Sequence, residues 1–122
     1  MLLFRRAGRD AFNSATGGVK AVAFKLRTSK GELSLSFYDG TLVSPEEVQR
    51  AAPAPGWGVA EIRVAELRAL GFAVTSEVAG TDVLGRAHVS ATPPETTASG
   101  QLPPDLSRSV ALAARWVIEP SR

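Results

Sequence analysis

The chain contains no cysteine, a single histidine, His88, and few aromatic residues. Without cysteine there is no disulfide framework, no thiol nucleophile and no thiolate-bound zinc. One histidine leaves too few imidazoles for a histidine metal centre within one chain. No metal and no cofactor is therefore expected. No stretch approaches the roughly 18–20 apolar residues of a membrane span, so no membrane partner is expected either. The opening Met1-Leu2-Leu3-Phe4-Arg5-Arg6 places its charges after its apolar residues, the reverse of a secretory signal. A cytoplasmic location is the expectation that follows. Gly-x-Ser-x-Gly and phosphate-loop motifs are absent: Thr16-Gly17-Gly18 has no Gly-Lys-Ser/Thr after it.

The charge that is present is split by position. Residues 1–30 carry seven basic side chains against one acid, Asp10, a local net of +6. The remaining residues carry seven arginines against eleven acids, a local net of −4. All three lysines lie in the first stretch. A sided electrostatic surface is the direct implication. The preference for arginine, with abundant alanine and glycine, also matches a GC-rich genome of bacterial type.

At 122 residues the chain is expected to form one domain, 1–122, with a core that needs no metal or disulfide support. Apolar alternation over Val22, Phe24 and Leu26, and again over Leu33, Leu35 and Phe37, predicts a β-hairpin across 20–38. In that register Arg27 faces Glu32, and Gly31 supplies a positive φ at the tip. Ser44-Pro45-Glu46-Glu47 predicts a capped helix start, with Ser44 at the cap and Glu47 completing a capping box. That helix must end before Pro53 and Pro55.

Further strands are expected at Trp57–Arg63, Phe72–Val78 and Arg86–Ala91. A helix is expected at Val64–Leu70 with Gly71 as its stop, and a last helix from Asp105 carries the stripe Leu106, Val110, Ala113 and Val117. Residues 92–104, rich in Pro, Thr, Ser and Gly, read as a mobile loop. The fold class is α+β: a small, mostly antiparallel sheet of four or five strands with two or three helices on one face.

Two groups of residues stand out as candidate sites. The first is the polar face and tip of the hairpin, Lys25, Arg27, Ser34, Ser36 and Tyr38, together with Arg5, Arg6 and Arg9. Small side chains let another backbone approach closely, and the positive border suits an acidic protein partner. Nucleic acid is the alternative partner, through counterion release. It is disfavoured because few aromatics lie near these charges in sequence. The second group is His88 with Arg86 and Ser90 at two-residue spacing on one strand face, and Asp82 nearby. This arrangement would allow a general base beside an anion anchor in a small hydrolase-like enzyme. Three polar residues on one face are also what any half-exposed strand shows. Trp57 and Trp116 are expected to pack at the edge of the core. The favoured expectation is a non-catalytic interaction protein, of accessory, immunity-like or antitoxin-like character, and homo-oligomerisation is compatible with it.

Overall fold

A computed structural model describes residues 1–121. It shows an α+β fold built on one six-stranded antiparallel sheet. In chain order the elements are β1 (Leu2–Ala7), β2 (Leu35–Asp39), α1 (Pro45–Arg50), β3 (Gly58–Arg63), α2 (Val64–Ala69), β4 (Ala73–Ser76), α3 (Val83–Ala87), β5 (His88–Thr92), α4 (Pro104–Ala113) and β6 (Arg115–Ile118). The spatial order is β4-β5-β2-β1-β3-β6, so β1 and β2 form the centre.

Alternation along the strands makes two apolar faces. The larger core collects Leu3, Leu35, Phe37, Ile62, Val89 and Ala91 from the sheet, and covers them with Leu67 of α2, Val110 of α4 and Phe24. The opposite face holds Phe4 and Val59, covered by Val48 of α1 and Ala87 of α3. Helices therefore lie on both faces, not on one as expected, and there are six strands among the described residues.

The hairpin across 20–38 does not form. Residues Ala21–Phe24 make a 3₁₀ turn, and β2 begins only at Leu35. The reason is competition for the edges of β2. One edge pairs with β1, at Leu3↔Asp39 and Phe4↔Tyr38; the other pairs with β5, from Leu35↔Ala91 to Tyr38↔His88. Along the rest of the β1 side the Ser36 carbonyl accepts from the Arg5 side chain, not from residues 20–27. The burial pattern agrees, since Ala23 is buried while Val22 is 40% exposed and Leu33 is 78% exposed. The tip survives without the strands. Thr28–Lys30 turn through a second 3₁₀ segment, Gly31 takes φ 70°, and Arg27 meets Glu32.

Local signals elsewhere act as their chemistry dictates. Ser44 Oγ accepts from the Glu47 amide at 3.2 Å and Glu47 Oε1 accepts from the Ser44 amide at 2.9 Å, closing the capping box. Gly71 follows α2 with φ 94°, a conformation that costs glycine little. Helix α4 stops at Ala113, so Val117 of the expected stripe lies on β6. Trp116, also on β6, packs on the larger core and donates its indole N–H to the Gly18 carbonyl at 2.9 Å. Residues 93–103 contain no regular element. They are fastened by Gln101, whose side-chain amide exchanges two hydrogen bonds with the Leu26 backbone, at 2.7 and 2.9 Å.

Candidate anion-binding cleft and the adjoining histidine

Strand β1 carries two adjacent arginines in the middle of the sheet. Its pairing with β3 runs over six residues, from Leu2↔Arg63 to Ala7↔Gly58. Its pairing with β2 stops after Phe4↔Tyr38. The two central strands separate there, and arginine side chains occupy the opening. Arg5 Nε donates to the Ala23 carbonyl at 2.7 Å and Nη1 donates to the Ser36 carbonyl at 2.9 Å. Its guanidinium also lies 6.0 Å from the Phe24 ring centre and 5.7 Å from that of Phe37. Arg5 thus ties β1 to β2 where the ladder ends, satisfying carbonyls that would otherwise need another donor. Burial pulls its pKa down to about 10, partly opposed by the nearby Glu32 carboxylate.

Arg6 points to the other face. Its Nη1 donates to the Ala51 carbonyl at 2.6 Å and its guanidinium stands 5.5 Å from the centre of the Tyr38 ring. Arg27 closes the same opening from the tip. Its Nε and Nη2 both donate to Glu32 Oε2, at 2.9 and 2.6 Å, while its backbone amide donates to Oε1. This pairing holds the Glu32 carboxyl below the usual carboxylate range and the Arg27 guanidinium above its own.

The result is a cleft of about 230 Å³ lined by Arg5, Arg6, Arg27, Glu32, Ser36, Tyr38, Pro53 and Trp57. Three guanidinium groups face one carboxylate, so the lining is positive. Two of them are fixed by backbone carbonyls, which orients charge before any ligand arrives. Such a site, lined also by Tyr38 and Trp57, can receive a carboxylate or another small anion.

The structure brings together Arg5, Arg6, Arg27, Ser36 and Tyr38 of the residues nominated for partner binding. Lys25 is exposed and does not line the cleft. Ser34 is directed to Ser90, at 3.4 Å between hydroxyls. Arg9 lies in a neighbouring hollow with Pro55, Gly56, Trp57 and Ser121. Of the other lining residues, Trp57 is expected from the sequence as a core-edge ring that anchors a partner if exposed, and Pro53 is not singled out there. Their part could not be read from the sequence, because only the return of the chain after α1 brings them to β1.

Behind Tyr38 lies His88, with ring centres 6.1 Å apart and an edge-on geometry. His88 Nε2 is 3.1 Å from Ser36 Oγ, and Nδ1 is 2.9 Å from the Glu77 carbonyl oxygen. Of the residues nominated with it, Asp82 caps α3 by accepting from the Gly85 amide at 3.1 Å, and Arg86 is exposed on α3 and not on the strand face with His88, because β5 begins only at His88. Ser90 donates to Glu77 Oε2 at 3.1 Å. The partners His88 finds, Ser36 and Glu77, come from β2 and the end of β4. No cluster of three or more metal-ligating side chains occurs among the described residues, and no helix among them is long and apolar enough to cross a membrane.

Comparison with known proteins adds no relative: no family model, curated protein or solved structure matches the chain.

Proposed function

We propose that the protein binds a partner protein by receiving an acidic side chain or chain end in the arginine cleft between β1 and β2. The observation that carries this reading is the excess of guanidinium over carboxylate in the cleft, with Arg5 and Arg6 oriented by backbone carbonyls. A cleft of about 230 Å³ suits one carboxylate-bearing side chain better than a run of phosphates. The lysines that would extend a phosphate track do not line it.

Binding of a Glu- and Asp-rich peptide is the test. Arg6→Glu should weaken it by at least about tenfold, while Lys25→Glu, outside the cleft, should leave it within about twofold. Equal loss in both variants would mean that diffuse positive charge, and not the cleft, makes the interaction.

A second reading draws on Tyr38 and Trp57. These rings stand beside the arginines and supply the stacking surfaces that the sequence could not place there. Single-stranded nucleic acid would use them. Binding of an oligonucleotide that falls steeply with salt, and is lost in Trp57→Ala, would favour this reading over the acidic peptide.

A further inference from the structure

We propose that Ser36 is a nucleophile whose proton is taken by His88, and that it accepts the acyl group of an ester carrying a negative charge. The hydrogen bonds fix the tautomer of the neutral ring. A carbonyl oxygen only accepts, so His88 Nδ1, 2.9 Å from the Glu77 carbonyl, carries the ring proton. In the neutral ring Nε2 then holds a lone pair, and the Ser36 hydroxyl, 3.1 Å away, donates to it. A serine, a base within hydrogen-bond reach and a third group orienting the base make the arrangement that activates a hydroxyl.

Position adds to this. Ser36 lines the arginine cleft, so a ligand held there lies against it. The guanidinium of Arg5 donates to the carbonyl of Ser36 itself, bringing positive charge within one residue of the hydroxyl. A positive charge this close favours the negative charge that develops as the hydroxyl attacks.

The step balances without any co-reactant but water. Ser36 Oγ bonds to the ester carbonyl carbon as its proton passes to His88 Nε2. The carbon–oxygen bond to the leaving alcohol then breaks, and that oxygen takes the proton back. Water attacks the acyl-serine with His88 again accepting a proton, which returns to Ser36 Oγ as the acid leaves. Choosing an anionic ester rests on the binding reading above, whereas the nucleophile itself does not.

The two parts are tested separately. A neutral fluorophosphonate, applied to the full chain and followed by peptide mass spectrometry, should label Ser36. It should label Ser34, half-buried like Ser36 and two residues before it, at least about tenfold less. Ser36→Ala should remove the label, and His88→Gln should slow it by about 10²-fold or more. If His88→Gln does not fold, the distribution of label between Ser36 and Ser34 in the unaltered protein decides. Equal labelling of the two, no label, or an undiminished rate in folded His88→Gln overturns the nucleophile. p-Nitrophenyl hemisuccinate should be cleaved at least about tenfold faster than p-nitrophenyl acetate, with the preference lost in Arg6→Glu. No preference overturns the anionic substrate class while leaving the labelling result standing.

Discussion

Replacing Arg5 by methionine removes the guanidinium while keeping most of the side chain's bulk, and so isolates what the charged head contributes at the centre of the sheet. Two hydrogen bonds from a charged donor are lost, to the Ala23 and Ser36 carbonyls; bonds of this kind contribute about 1.5–3 kcal/mol each. The contacts with Phe24 and Phe37 add roughly 0.5–1 kcal/mol each. Against these stands the cost of holding the charge away from water. The fall of its pKa to about 10 corresponds to roughly 3 kcal/mol against the charged form. The bonds and ring contacts win by about 1–5 kcal/mol, and methionine leaves both carbonyls without that donor. With a urea dependence of about 1.5 kcal/mol per molar, the unfolding midpoint should fall by roughly 0.7–3 M. Equilibrium urea unfolding followed by tryptophan fluorescence measures it. A midpoint equal to or above that of the unaltered protein would refute the reasoning, and would show Arg5 to be a buried charge tolerated at a net cost.

Glu32→Gln should lower stability near neutral pH by less than about 1 kcal/mol, since Arg27 is largely exposed. The Glu32 carboxyl is held below its ordinary value, so its contribution is present above the ordinary carboxylate pKa and lost as pH falls through the folded value. The gap between the two proteins in urea midpoint should therefore close in acid; a gap that persists there contradicts the assignment. Ser44→Ala opens the capping box of α1 and should cost about 1 kcal/mol, a few degrees in thermal midpoint. An unchanged midpoint would mean that α1 is held by Val48 packing alone. Gln101→Ala removes both bonds to the Leu26 backbone and should cost roughly 1–2 kcal/mol and expose the Leu26 amide to hydrogen exchange. Unaltered exchange at Leu26 would count against that role.

What could be read in the sequence was what is settled locally. The α1 capping box, the positive φ at Gly31 and Gly71, and the Arg27–Glu32 contact depend on residues a few positions apart, and all are present. The hairpin across 20–38 failed because alternation measures suitability for a strand and says nothing of which edges are free. The more distant β5 takes one edge of β2, and on the other β1 pairs at Tyr38 and Asp39 while the Arg5 side chain takes the Ser36 carbonyl. Strand β1 itself gave little signal. Arg5 and Arg6 interrupt its apolar run, and a central strand rarely carries two adjacent charges. Those same arginines are what make the cleft, so the residue pair that hid the strand is the one that builds the site. The grouping of Ser36 with His88 was hidden in a different way. The two lie far apart in sequence, and only the β2–β5 register makes them neighbours.

The most direct test of the arginine cleft is to watch its side chains while an acidic peptide is titrated in. In nitrogen-15 labelled protein the Nε–H signals of Arg5, Arg6 and Arg27 and the indole signal of Trp57 should move together and saturate with one peptide bound. The exposed Arg63 and Arg68 side chains, which do not line the cleft, should stay in place. Saturating shifts at Arg63 and Arg68 with the cleft signals unmoved would contradict the account.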